Sequence, residues 1–566
     1  MFNTIEIENF KAFGEHQRFP LRPITLLFGA NSSGKSSIIQ SLLLLKQTLD
    51  EAENPDIALL PKGKLVNLGS FKEMVFKHDT ARPLTITLGF SSRDRGRRLP
   101  GPELPAALAN TRCSFTFSTQ GRSAMRLAQF QLLAGHSIEP IVSCEPVELK
   151  DRGEFRPMCF YGPFPTTDPF AANCLRFGFV SRDQQLYSDG WNELQDNLPR
   201  IRRDIERQIS VLQRHMEAAH ADPVGGESGL FAADSAPFAK RRFERRPPRE
   251  SREDMERDLR NLIAQRDRLQ DYTQQTFIED TVKLHESLLL MTANFLPTGG
   301  GMVGKGDDEE FWMRHRPSRL PWMRHGMDSP FIGACLTRCA ELREMLERML
   351  YLGPLREYPE RHYIFSGNLV KEVGKSGKGM PDLLFRHKAT LVKRVNEWLE
   401  KFGVDYSIDV RTVKDPDVED VFTLCLTDKR TQVTVSPLDV GFGISQILPI
   451  VVQSLFAKGR VICVEQPEIH LHPRLQAEFG SLLAHAIRSK RPNQFIIETH
   501  SEHLILRLQR LIRNGTLKPE DVAVVHVRKT EAGSAATELR LDEQGEFIDR
   551  WPEGFFEEDF AERFGD

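Results

Sequence analysis

A glycine-rich loop near the start of the chain constrains the fold more than any other feature. Residues 29–36 satisfy the pattern G-x-x-x-x-G-K-[ST] in full. The apolar segment 24–28 precedes this loop and predicts a buried strand, and segment 37–46, which lacks glycine and proline, predicts a helix. A strand, loop and helix in this order direct backbone N–H groups and a helix N-terminus at phosphate. The chain is therefore expected to contain a phosphate-binding α/β unit.

Individual positions of this P-loop have separate predicted roles. Gly29 and Gly34 permit its tight path. Lys35 is expected to reach the β- and γ-phosphates of ATP, and the Ser36 hydroxyl is expected to bind Mg²⁺. A chance Gly/Ser loop is the alternative, and the matching strand and helix disfavour it. The predicted nucleotide-binding residues of the loop are Gly29, Asn31, Ser33, Gly34, Lys35, Ser36 and Ser37.

A second apolar strand, 460–464, leads into Glu465. A carboxylate at the tip of a buried strand beside a P-loop suits a Mg²⁺ ligand, so Glu465 is predicted to hold the metal. The next residue, Gln466, can orient a water molecule but cannot accept its proton. Glu468 is the nearest alternative base. Hydrolysis is thus predicted to be slow or to depend on Glu468, and which of the two orients the water stays open.

Two further motifs complete an ordered set. Gly441 and Gly443 precede an apolar segment, 447–456, that predicts a helix, so the turn that also contains Ser445 and Gln446 is a second candidate anion site. His500 follows the predicted strand 495–498, where an imidazole could sense the γ-phosphate. The alternatives are an ordinary glycine turn before a core helix and a structural histidine. The order of the four motifs favours the functional interpretation.

These motifs resemble those of the SMC/RecF/OLD branch of ABC-type ATPases. Residues 5–13 are similar to the first strands of that branch, and residues 465–473 are similar to the OLD version of the second motif. The resemblance implies an α/β fold, a two-lobed ABC-type ATPase head with an inserted α-helical domain. It also implies a homodimer or higher homo-oligomer formed through the ATP sites. One chain would supply Lys35, Ser36, Glu465 and His500 to each site, and its partner would supply Gly441, Gly443 and Ser445.

Two shorter segments, 352–356 and 551–556, resemble those of bacterial AAA-family defence ATPases of the PtuA (Septu-like) kind, which carry a C-terminal domain of unknown function. This resemblance implies anti-phage defence with a separate nuclease as the effector. An ATPase for DNA repair of the RecF/SMC kind is the alternative, as is a weakly hydrolysing scaffold that ATP holds together.

The composition limits which partners the chain can bind and where it can bind them. The 566 residues carry a net charge of −3, from 76 basic and 79 acidic side chains, so any DNA contact must be a local patch. The basic stretches 240–249 and 312–324 are the candidates. The eight cysteines form no C-x-x-C pair, and no apolar run approaches the length needed to cross a bilayer. A cytoplasmic protein without a membrane segment is expected.

Near-heptad spacing of apolar residues in 201–216 and 255–269 predicts an antiparallel helical hairpin, a short coiled coil. A pair of helices lying on the head is the alternative. The predicted domains are an N-terminal ATPase lobe (1–185), a helical insert (186–300), a basic-aromatic linker and helix (301–350), a C-terminal ATPase lobe (351–535) and a terminal hairpin with an aromatic tail (536–566).

Overall fold

The computed structural model describes most of the two terminal thirds of the chain and parts of its middle. The described residues are 1–54, 57–91, 110–120, 124–135, 137, 140–146, 155–156, 173–179, 184–221, 252–270, 273, 288–293, 296–303, 330–367, 370–412 and 420–551. The basic stretches 240–249 and 312–324 lie outside these ranges, as does the aromatic tail from residue 552 onward.

The described part of the chain contains both strands and helices. The strands are β1 (Phe2–Glu8), β2 (Gln17–Pro20), β3 (Ile24–Phe28), β4 (Leu84–Ser91), β5 (Asn110–Gln120), β6 (Ala124–Ala134), β7 (Pro140–Pro146), β8 (Phe155–Arg156), β9 (Asn173–Phe179), β10 (Leu288–Ala293), β11 (Leu296–Val303), β12 (Leu350–Leu352), β13 (Tyr363–Ile364), β14 (Tyr406–Thr412), β15 (Val421–Asp428), β16 (Thr434–Val435), β17 (Val461–Glu465), β18 (Gln494–Glu498), β19 (Val522–Thr530) and β20 (Gly533–Leu539). The helices are α1 (Lys35–Glu51), α2 (Phe71–Met74), α3 (Gln184–Ala221), α4 (Arg252–Gln270), α5 (Pro330–Glu347), α6 (Met380–Arg386), α7 (Lys393–Lys401), α8 (Phe442–Phe456), α9 (Pro473–Ile487) and α10 (Glu502–Arg513).

A six-stranded sheet joins the two ends of the chain. Its order is β12-β17-β18-β3-β19-β20, and every neighbouring pair is parallel except β19 with β20. The P-loop strand β3 is therefore flanked by β18 and β19, which lie about five hundred residues later in the sequence. Because parallel strands end at one edge, β3, β17 and β18 deliver their following loops to the same place.

Both faces of this sheet are covered. Ile24, Leu26 and Phe28 of β3 pack into one apolar core, whereas Leu27 packs into the other. Burial on both faces explains why β3 is a continuous apolar run. Leu27 faces the core formed with α1, α5 and the ten-stranded sheet, and the other three residues face the core formed with α6 to α10.

The remaining strands form antiparallel sheets. One has ten strands in the order β2-β1-β4-β5-β6-β7-β9-β10-β11-β8, and a smaller one joins β13, β15, β14 and β16. Cys335 and Cys339 on α5 are buried in the core beside the first of these sheets, where Cys339 interacts with Cys113 and Cys335.

Helices α3 and α4 pack against each other through an apolar seam. Its buried members are Leu198, Ile205, Ile209, Leu262 and Leu269. Arg202 Nη2, midway along α3, donates to the carbonyl of Leu269 near the end of α4, at 2.6 Å. Two packed helices thus occur in the predicted segments, and their arrangement as an antiparallel hairpin stays a prediction.

The α/β fold class is confirmed by these sheets and helices. Among the helices described here, none combines the length and the apolar character that a membrane span requires.

Candidate nucleotide-binding site

The P-loop follows a path that glycine alone allows at two positions. Gly29 has φ of +139°, and a Cβ added there would lie 2.0 Å from the carbonyl oxygen of Val527. Gly34 has φ of +106° and immediately precedes α1. Asn31 is exposed at the tip of the loop, and Ser37 lies in the first turn of α1. The loop is therefore pressed against β19 and opens into a helix N-terminus, as a phosphate site requires.

Lys35 is the buried cation of this loop. Its Nζ donates to the carbonyl oxygens of Gly29 and Ala30, both at 2.9 Å. Burial lowers the pKa of the Lys35 ammonium, and the charges of Glu498 and Glu468 oppose that shift. The lysine therefore lies within electrostatic reach of two carboxylates that come from β18 and from the turn after β17.

A hairpin from the C-terminal region supports the loop. Ser534, at the start of β20, donates from Oγ to the carbonyl oxygen of Ser33 at 2.6 Å, and its backbone N–H donates to Ala12 O at 2.7 Å. Ser33 is itself buried, and its Oγ has no hydrogen-bond partner among the described residues. The loop is thus fixed through its backbone while the Ser33 hydroxyl stays available.

Glu465 is the last residue of β17, and only 9% of its surface is exposed. Burial and, to a smaller extent, the nearby charge of Glu498 raise the pKa of its carboxyl to about 7. A hydrogen bond from Tyr351 and the charges of Lys375 and Arg356 oppose this shift. A carboxyl that is costly to ionise without a cation suits a position that binds one.

Arg356 lies behind Glu465 and is 4% exposed. Its Nη2 donates to the backbone oxygen of Glu465 at 3.1 Å, whereas its Nε and Nη1 have no partner within the described part of the chain. Burial lowers the pKa of this guanidinium to about 10, and the charges of Glu468, Tyr351 and Glu465 oppose the shift. Arg356 is therefore a second buried cation within electrostatic reach of Glu465 and Glu468.

The turn after β17 is fixed by β18 and its following loop. Gln466 has φ of +45°, and its N–H donates to Glu498 O at 2.8 Å. Glu468 accepts from Thr499 Oγ1 at 2.7 Å and from the His500 N–H at 2.8 Å, one bond to each carboxylate oxygen. Burial raises the pKa of Glu468, and these hydrogen bonds oppose the shift. Glu468 thus ties the turn to the segment that carries His500.

His500 follows β18 and is half-buried. Its Nε2 is enclosed and has no partner among the residues described. Burial lowers the pKa of the imidazole, as does the positive charge of Lys35. A neutral ring with a free nitrogen beside the P-loop lysine can donate to or accept from a phosphate oxygen or a water molecule.

The Gly441 turn has a different setting. Gly441 is exposed and caps α8, and a Cβ added to Gly443 would lie 2.8 Å from the carbonyl oxygen of His470. Ser445 and Gln446 are buried within α8, which begins earlier than the predicted segment 447–456. Over the described ranges, no hydrogen bond joins this turn to the P-loop of the same chain. Of the residues predicted to contact a nucleotide here, Gly441 is exposed on the surface of the chain, whereas Ser445 and Gln446 are buried.

A cavity of about 470 Å³ adjoins the N-terminus of α1. Ser36 and Ser37 line it on the P-loop side, and Lys11, Glu73 and Lys77 line it on the other. The described residues contain no group of three or more His, Cys, Asp or Glu side chains that would hold a metal alone. A cation held by Ser36 and Glu465 would need phosphate oxygens as further ligands, which is how Mg²⁺ usually binds beside nucleotides.

Comparisons with known proteins support this interpretation of the site. A family model described as "AAA ATPase domain" matches residues 1–100 and 369–505, which include the P-loop and His500. The P-loop, Glu465 and His500 thus lie within residues that match an ATPase domain model. A second model, described as "Protein of unknown function (DUF3696)", matches residues 517–562, which include the hairpin that supports the P-loop. No curated protein matches the chain by sequence.

Solved structures resemble the chain only distantly. The Smc head domain with an extended coiled coil bound to the C-terminal domain of ScpA, from Pyrococcus furiosus, is 10% identical, with a TM-score of 0.34 over 95% of this chain and 96% of that one. The SMC head domain from Thermotoga maritima is 8% identical, with a TM-score of 0.34 over 95% of this chain and 99% of that one.

Several residues that act on the site have no role in the sequence-based prediction. Arg356, Glu498, Tyr351 and Ser534 all act on the predicted site residues, yet none belongs to the loop motifs themselves. Glu498 had one available signal, since an acidic residue directly before Thr499 ends an otherwise apolar strand.

Proposed function

We propose that the chain is an ABC-type ATPase of the SMC/RecF/OLD kind. Two copies would close on two ATP molecules and thereby control the binding of DNA or of a separate effector nuclease, in anti-phage defence. The observation that carries this proposal is the convergence of Lys35, Glu465, Glu468 and His500 at one sheet edge, while the Gly441 turn remains exposed. The site is thus built from both ends of the chain.

The P-loop would bind the phosphates of ATP. Lys35 would exchange its two backbone carbonyl partners for β- and γ-phosphate oxygens, and the Ser33 hydroxyl, which has no partner among the described residues, would donate to the same group. The adjacent cavity lined by Lys11 and Lys77 would take the remainder of the nucleotide. Ser36 and Glu465 would hold Mg²⁺, which when bound neutralises phosphate charge.

Hydrolysis would be slow. Gln466 cannot remove a proton from water, and both Glu468 oxygens already accept hydrogen bonds from Thr499 and His500. A base in that position must share its lone pairs with two existing donors. This favours a second candidate function, in which ATP mainly holds a dimeric scaffold together and turnover only resets it. ATP would shift the population toward the closed dimer because only that state contacts it from both sides.

Steady-state ATP turnover tests the proposal. The purified chain would be assayed with and without duplex DNA, with Lys35→Ala as the blank. Turnover above the blank that rises with DNA would support a DNA-responsive ATPase, and tight, salt-sensitive DNA binding by the chain alone would favour repair. Turnover at the blank level despite tight ATP binding would favour the scaffold. Absence of ATP binding would contradict both.

A further inference from the structure

We propose that Glu498 is a second carboxylate ligand of the nucleotide-bound Mg²⁺, beside Glu465. This inference rests on the proposed ATPase function and adds a residue that the loop motifs do not contain. Mg²⁺ at nucleotide sites is commonly held by one or two carboxylates together with phosphate oxygens and water.

The strand register places the two carboxylates side by side. Glu465 and Glu498 are direct partners on the parallel strands β17 and β18, and Glu498 in turn pairs with Leu27 of β3. Residues paired directly across neighbouring strands project from the same face of the sheet. Glu498 thus lies between the metal-binding candidate Glu465 and the strand that leads into the P-loop.

The burial of Glu498 demands a partner. Only 5% of its surface is exposed, and its Oε2 has no hydrogen-bond partner in the described part of the chain. The ion pairs of the described residues include neither Glu498 nor Glu465. Two adjacent buried carboxylates that no cation contacts directly repel each other, and such groups are usually paired or coordinate a metal.

The nearby cations have other partners. Lys35 Nζ donates to two P-loop carbonyls, and the one described hydrogen bond of Arg356 goes to a backbone oxygen. Glu468 differs from Glu498, because each of its carboxylate oxygens already accepts a hydrogen bond. A structural carboxylate is satisfied as Glu468 is, whereas a ligand that awaits its metal has an oxygen free.

Manganese binding tests this assignment apart from catalysis. Mn²⁺ would be titrated into the full chain with the non-hydrolysable analogue AMP-PNP, and free Mn²⁺ would be followed by electron paramagnetic resonance. We expect Glu498→Gln to weaken Mn²⁺ binding by at least about tenfold. Glu468→Gln removes the same charge nearby and is the matched control. It should weaken Mn²⁺ binding much less. Glu498→Asp keeps the carboxylate on a shorter side chain and should fall between wild type and Glu498→Gln.

Thermal melting in EDTA separates ligation from a structural role. We expect Glu498→Gln to melt at or above the wild-type temperature, because it removes one of two adjacent buried charges. A large drop would assign Glu498 to structure and overturn the inference, as would equal Mn²⁺ losses in Glu498→Gln and Glu468→Gln. If Glu498→Gln binds AMP-PNP and keeps the wild-type Mn²⁺ affinity, this inference alone is overturned. A wild-type chain that binds no AMP-PNP would overturn the proposed function as well.

Discussion

At the scale of single residues, the site contains more buried carboxylates than buried cations. Glu465, Glu468 and Glu498 share one sheet edge with Lys35 and Arg356, and burial shifts the pKa values of Lys35, Arg356, Glu465 and Glu468. Each cation contacts backbone oxygen atoms instead of a carboxylate. Removal of one cation should therefore leave the buried carboxylates without a nearby positive charge.

Arg356→Ala tests this imbalance. Because the guanidinium is 4% exposed, its loss leaves buried carboxylates uncompensated and removes a donor to Glu465 O. We expect the free energy of unfolding, measured by urea titration with tryptophan fluorescence, to fall by about 3–5 kcal/mol. Arg361→Ala is the control, since its ion pair with Asp439 is exposed and worth less than about 1 kcal/mol. Equal effects of the two variants would contradict the prediction.

Glu465 makes the stability of the metal-free chain depend on pH. Its pKa is raised from 4.5 to about 7, so the folded state binds this proton more tightly than the unfolded state does. The resulting stabilisation is complete below pH 4.5 and is lost as the pH rises through 7. In EDTA, wild type should therefore lose up to about 3 kcal/mol relative to Glu465→Gln between pH 4.5 and pH 8. A constant difference between the two in urea unfolding at pH 4.5 and pH 8 would refute this.

At the scale of elements, the β19–β20 hairpin fixes the P-loop. Ser534 Oγ donates to Ser33 O across 501 positions of sequence. We expect Ser534→Ala to weaken binding of a fluorescent ATP analogue by about fivefold, the equivalent of one hydrogen bond of about 1 kcal/mol. Thr530→Ala removes an exposed hydroxyl bond within the same hairpin, to Gly533 O, and should leave affinity unchanged. If both variants bind like wild type, the hairpin does not position the loop.

The elements themselves were largely predictable from local patterns. The strand predicted at 24–28 coincides with β3, and the strand before Glu465 coincides with β17 within one residue. Apolar runs and glycine positions determine such elements, and both are visible in sequence. Helix α8 begins at Phe442, five residues before the predicted apolar segment, because the glycine turn itself provides its first turn.

The site residues that could not be predicted come from parts of the chain that are far apart in sequence and meet only through packing. Arg356 contacts Glu465 across 109 positions, and the pairing of Glu465 with Glu498 depends on the order of strands in the sheet. No spacing rule connects such residues, since their proximity exists only once the sheet has formed. The predicted roles of Gln466, Glu468 and His500 stay predictions. The structure adds that Thr499 donates a hydrogen bond to Glu468 and so holds the turn after β17 against the segment that carries His500.

At the scale of the whole molecule, the exposed Gly441 turn is where a second copy would complete the site. Gly441 has φ of −53°, and a Cβ added there meets no atom within 4 Å, so a larger side chain is compatible with the folded chain. Gly443 is unsuitable for this test because a Cβ there would contact His470 O. Gly441→Arg can therefore block an intermolecular contact without disturbing the chain that carries it.

We expect Gly441→Arg to keep the wild-type melting temperature and ATP affinity but to lose ATP-dependent dimerisation in analytical ultracentrifugation. Turnover should fall with the dimer, because the turn would face the ATP bound to the partner. Ala389→Arg introduces the same side chain at another exposed position and should dimerise like wild type. Dimerisation of Gly441→Arg at wild-type ATP concentrations would exclude this turn from the interface. A variant that loses ATP affinity while still monomeric would instead place the turn at the ATP site of its own chain.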